Sequence, residues 1–124
     1  MRTDVRLTSQ SSAHGRFERA IANRHLGHAL IAARELGELS LADALTPCML
    51  FVEKAPERYS PAAARWHARF VFKAKGLTLE DSQLDLAALA LIPREREVAL
   101  RMLVSLAKTR NVYVGRLSAP QPPP

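Results

Sequence analysis

The stretch at residues 60–75, SPAAARWHARFVFKAK, carries the single tryptophan and two of the four phenylalanines of the chain. Its spacing is that of a helix. Ser60 suits an N-cap and Pro61 the first helical position, where a missing N–H costs nothing. Three alanines, the strongest helix formers, follow. At about 100° per residue, Ala63, Trp66, His67, Phe70, Val71 and Ala74 share one broad arc. Arg65, Arg69 and Lys73 recur at i, i+4 and i+8 along the opposite edge, and Phe72 falls among them on the face that should be wet. Trp66 and Phe70 are therefore expected as core anchors, each burying about 150–250 Å². Arg65, Arg69, Phe72 and Lys73 form the candidate contact surface, because aromatic residues and arginine are enriched where proteins meet. The plainer alternative is a solvated basic face with one exposed aromatic.

The same helical period runs through the rest of the chain. Residues 15–22 read as a short first helix with Phe17, Ala20 and Ile21 on one side. Asn23 interrupts it, although one bent helix through residue 36 is the alternative. Residues 25–36 place Leu26, Ala29, Leu30 and Ala33 at i, i+3, i+4 and i+7. Gly37 supplies the helix stop, and Ser40 caps the next helix with Asp43 three residues on. Leu41, Leu45, Cys48, Met49 and Val52 should face inward, with a kink expected at Pro47. Residues 53–59 read as a loop.

After Lys75 the punctuation recurs. Gly76 ends a helix, Thr78 caps another and Asp81 follows at three. GELSLADAL at 37–45 and GLTLEDSQL at 76–84 share Gly, a hydroxyl cap, Leu and Asp at an offset of 38–39 residues. Such a period belongs to helix-pair repeats. Equally, capping rules alone impose the same letters on any two junctions. Residues 79–92 are apolar nearly all round beyond Asp85, which suggests burial on several sides. Residues 94–109, after Pro93, turn Val98, Ala99, Met102, Leu103, Leu106 and Ala107 to one face. In the tail, NVYVGRL could add an extended segment, and SAPQPPP reads as polyproline-like.

Composition sets the class. A chain of 124 residues with 48% hydrophobic residues can bury one core without staples. Ala and Leu dominate while β-branched residues are scarce, which favours helix throughout. Arginines outnumber lysines fourteen to four, which together with abundant Ala hints at a GC-rich bacterial genome. One cysteine, Cys48, excludes an intramolecular disulfide. No apolar run approaches the ~20 residues of a membrane span. The first residues lack the apolar core of a signal peptide, so a cytoplasmic protein is expected. The net charge of +6 is uneven: residues 1–24 carry +3, residues 25–92 carry −1 and residues 93–124 carry +4. Basic ends can bind polyanions by counterion release.

The helix-pair pattern, with Ala at packing positions and Gly–cap junctions, loosely resembles tetratricopeptide-like repeats. NRHLGHALIAARELG looks like the opening helix of such a unit, and the resemblance spans residues 23–92. The characteristic aromatic and proline positions are missing. The whole chain also resembles small Ala/Arg/Leu-rich helical bacterial proteins of unassigned role. What the repeat-like resemblance implies is protein–protein interaction through a groove.

Reactive chemistry is sparse. The glycines at 15, 27, 37, 76 and 115 are scattered, so no phosphate-cradling loop forms. His25 and His28 share a face, with Glu35 further along as the candidate third metal ligand, but a histidine pair alone is a weak signal and polar-face histidines are the plainer reading. His67 reads as a core histidine with one satisfied hydrogen bond, and Cys48 between Pro47 and Met49 as an inert thiol. The most apolar helix, 79–92, lacks the polar face a DNA-recognition helix needs. The reading is thus an all-α fold of five or six helices, two antiparallel hairpins with flanking helices in a compact bundle or short superhelix. A single domain is expected over residues 13–109, with a flexible start at 1–12 and a mostly disordered, proline-rich tail at 110–124. The expected function is a non-enzymatic interaction module, an adaptor or a homo-oligomer. A nucleic-acid binder acting through its basic ends is the alternative. No cofactor, metal, membrane or small-molecule substrate is expected.

Overall fold

A computed structural model describes residues 5–114, with side chains from residue 12 onward. Six helices form among them: α1 (Val5–Ala22), α2 (Leu26–Leu36), α3 (Leu41–Lys54), α4 (Tyr59–Lys73), α5 (Leu79–Leu91) and α6 (Arg96–Thr109), with a 3₁₀ turn at Pro56–Arg58. No strand occurs among the described residues. Each odd helix packs chiefly on the next, so the expected two hairpins with flanking helices become three consecutive pairs. The links α2–α3 and α4–α5 join the pairs, and α1 also touches α3.

Glycines turn two corners: Gly37 is the C-cap of α2, whereas α4 ends at Lys73 with Ala74 as its C-cap, so Gly76 lies past the expected stop. Gly37 and Gly76 take φ of +85° and +65°, a region that L side chains enter only with strain. Beyond each, a hydroxyl starts a helix. Ser40 Oγ accepts from the Asp43 N–H at 3.0 Å. Thr78 goes further: its hydroxyl accepts from the Asp81 N–H while the Asp81 carboxylate accepts from the Thr78 N–H. That reciprocal pair satisfies two of the N–H groups that a helix start leaves unpaired.

The principal core draws on α3, α4, α5 and α6. Trp66 and Phe70 lie in it with rings stacked 5.6 Å apart. Buried donors find acceptors on neighbouring helices: Trp66 Nε1 donates to the Leu41 carbonyl at 2.9 Å, and the Tyr59 hydroxyl to that of Leu89 at 2.6 Å. A smaller cluster of Ala20, Ala29 and Leu50 seats the first hairpin on α3.

Several boundaries differ from the sequence reading. The first helix starts at Val5 rather than residue 15, so the stretch expected to be flexible is helical from that point. Asn23 does end it; Arg24 sits at φ +56° in the turn. α4 begins at Tyr59, continuing the 3₁₀ turn, so Ser60 is not its cap. Pro61 still lies in the first turn, where no intrahelical acceptor is lost. Helix α3, by contrast, continues through Pro47 as the apolar pattern to Val52 implied, rather than starting afresh after Thr46. The carbonyl that Pro47 cannot reach, that of Asp43, accepts instead from the Thr46 hydroxyl at 2.7 Å.

α5 is not buried on several sides. Leu79, Leu84 and Leu86 are exposed, and only Asp85, Ala88 and Leu89 of the helix are buried, because its two neighbours, α4 and α6, cover one stripe. On α6 the inward face includes Leu100 and leaves Val98 exposed. The expected end of the domain at 109 is too early: Val112 and Val114 join the core while Tyr113 points outward. Residues 115–124, with the proline-rich tail, lie outside the described residues.

Candidate functional site

Helix α4 carries both the surface expected from the sequence and a polar cluster that the sequence reading did not assemble. Of the four surface residues, three line depressions beside α4. Arg65 and Arg69 edge a slot of about 280 Å³ whose floor includes Ala44, Cys48 and Trp66. Arg69 and Lys73 edge a second, of about 430 Å³, against Leu39, Val112 and Tyr113. Arg69 belongs to both, so the cations form one strip rather than three separate points. Arg69 is also half-buried, because its guanidinium donates to the Leu39 carbonyl at 2.6 Å. That bond ties α4 to the α2–α3 corner and makes Arg69 partly structural. Phe72 lines neither depression and is 92% exposed. Across the α4–α5 turn, Leu79 is 82% exposed.

The second cluster joins α4 to α5. The His67 Nδ1 meets Asp85 Oδ2, and Nε2 lies 3.3 Å from Ser82 Oγ. An ionised Asp85 places the imidazole proton on Nδ1 and leaves Nε2 to accept from the Ser82 hydroxyl. Asp85 is fully buried, and its Oδ1 has no partner. Burial pushes the Asp85 carboxyl above its ordinary range, and the His67 hydrogen bond opposes that rise.

The order hydroxyl, imidazole, carboxylate is that of an activated nucleophile. Acyl transfer also needs donors aimed at the developing oxyanion. The Ser82 N–H is committed to the Thr78 carbonyl inside the helix. The cluster therefore fits a polar staple between two helices better than a reaction centre. His67 was expected as a satisfied core histidine; two partners satisfy it. The signal for them lay in Ser82 and Asp85 at i and i+3, which puts both on one face of α5.

Cys48 is not part of this cluster. The thiol donates to the Ala44 carbonyl at 3.6 Å. Burial pushes the Cys48 thiol up to about 11, against a smaller opposing effect of Arg65. No group of three or more potential metal-ligating side chains occurs among the described residues. No helix among them is long and apolar enough to cross a membrane.

The basic ends are partly neutralised within the fold. Arg16 pairs with Glu35, Arg24 and Arg96 with Glu53, and Arg110 with Asp81. These pairs lower the unbalanced charge available to a polyanion.

The fold and the strip define a small all-helical protein with a basic, partly apolar edge along one helix. Compared with family models, curated proteins and solved structures, the chain gives no match.

Proposed function

We propose that the protein is a non-catalytic interaction module that meets a protein partner along α4, through Arg65, Arg69, Phe72 and Lys73. The observation that supports this reading is the pairing of a continuous cationic strip with an aromatic ring left almost wholly in water. An unneeded phenylalanine at 92% exposure adds nothing to folding, whereas rings and arginines are favoured at contacts. Leu79 enlarges the apolar part of the same end of the molecule.

A second copy of the chain is the partner most directly tested. Light scattering across a concentration series, with wild type and Phe72→Ala side by side, measures it. The substitution should weaken association about tenfold or more. It should leave Tm within about 2 °C, because surface changes of this kind stay near ±0.5 kcal/mol. A fall of many degrees would make Phe72 a folding residue and remove the surface. Wild type that stays monomeric at every concentration would exclude self-association.

A further inference from the structure

The largest depression among those described lies away from α4, where α1 ends and α2 begins. It measures about 540 Å³, within the ~300–1,000 Å³ range of small-molecule sites. Its polar side carries Arg19, Asn23, His25 and His28, and its apolar side Ala20 and Ile31. Among the described residues, no acidic side chain lines it. Arg16 also reaches it but is held by Glu35. Arg19 has no acidic partner among the described residues.

The two histidines are held in place. Their rings stack 3.7 Å apart at 15°. His25 Nδ1 accepts from the His28 N–H at 3.2 Å, capping α2. That bond puts the His25 proton on Nε2, a fixed donor. Ile31, 57% exposed, gives the cavity an apolar wall in contact with water. The donors come from a helix end, a turn and a helix start; sequence spacing pairs His25 with His28 but does not bring Arg19 and Asn23 to them.

We propose that this cavity binds a small amphiphilic anion, a carboxylate or phosphate monoester on an apolar or aromatic body. The anionic head sits among Arg19, Asn23 and the imidazoles, and the body lies against Ile31 and Ala20. This inference is independent of the α4 surface and stands or falls without it.

The test is an amide-resolved NMR titration of the full chain with phenyl phosphate, phenylacetate, inorganic phosphate and benzyl alcohol. Phenyl phosphate or phenylacetate should give saturable shifts confined to residues 16–32, with Kd near or below about 1 mM. Which of the two saturates first names the head group. Arg19→Ala should weaken the bound anion about fivefold or more without changing Tm, since the side chain is exposed. Ile31→Ala should weaken phenyl phosphate or phenylacetate but leave inorganic phosphate unaltered. Three results would overturn the proposal. One is no saturation by either aryl anion at about 10 mM. Another is shifts spread over all basic surfaces and equal for inorganic phosphate. The third is an Arg19→Ala protein that binds as wild type does.

Discussion

Two carboxylates four residues apart on α5 should respond to pH with opposite signs. Burial raises the Asp85 carboxyl above 3.8. A raised carboxyl favours the fold while both states are protonated, and that contribution fades as pH rises from about 4 through the folded value. Asp81 is the reverse: the Thr78 N–H first, and Arg110 with it, hold its carboxyl below the ordinary value. Its contribution is present above about 4 and is lost as pH falls through the folded value. Tm measured from pH 3 to 7 for wild type, Asp85→Asn and Asp81→Asn separates them. Asp85→Asn should gain on wild type as pH rises from about 4, while Asp81→Asn should lose less than wild type on acidification. An Asp85→Asn curve parallel to wild type would mean that the buried carboxyl is not perturbed. Cys48 offers a simpler check, because a thiol raised to about 11 and buried holds almost no thiolate at neutral pH. Native protein should resist a thiol reagent at pH 8 and react fully once unfolded.

At the scale of the helix, the junctions were the most readable part of the chain. Gly76–Thr78–Asp81 reads as a stop, a cap and an acid three residues on in six letters; the cap and its reciprocal bond form, whereas α4 already ends at Lys73 with Ala74 as its C-cap. Removing the Thr78 hydroxyl should therefore be visible. Thr78→Ala should cost about 1 kcal/mol, a fall in Tm of about 4–8 °C for a domain near this size. Thr78→Ser should recover most of it, and calorimetry on the three proteins decides. What could not be read were the features set by neighbours. Pro61 fits the first turn of α4 whether the helix opens at Tyr59 or two residues later, so the letters alone could not choose. The leucines of α5 read as buried all round because apolarity records what a side chain tolerates, not which neighbours arrive to cover it. The His67–Asp85–Ser82 cluster was hidden for a related reason. The α5 spacing placed Ser82 and Asp85 on one face, but only the packing of α4 aims His67 at them. The α4 strip was legible as periodicity, whereas the link from Arg69 to the Leu39 carbonyl needed the fold.

For the molecule as a whole, the distribution of charge decides how any association should depend on salt. Several arginines of the basic ends are held by Glu35, Glu53 and Asp81. Arg65 and Lys73 have no acidic partner among the described residues. They stand beside an exposed ring, so a contact along α4 combines a screened part with an apolar one. Exposed charges lose most of their mutual attraction when the Debye length falls from about 10 Å at 0.1 M salt to about 3 Å at 1 M. Apolar burial does not weaken in the same way. Association through α4 should thus weaken severalfold between low and high sodium chloride without disappearing. Arg65→Glu with Lys73→Glu should mimic high salt at low salt, and Phe72→Ala should weaken the contact at both. Arg69 is left intact in this design because its bond to Leu39 makes it part of the fold. Light scattering at two salt concentrations on wild type, the double variant and Phe72→Ala gives the pattern. Association that vanishes in salt yet ignores Phe72→Ala would move the contact from α4 to the basic ends, and with it the function toward polyanion binding.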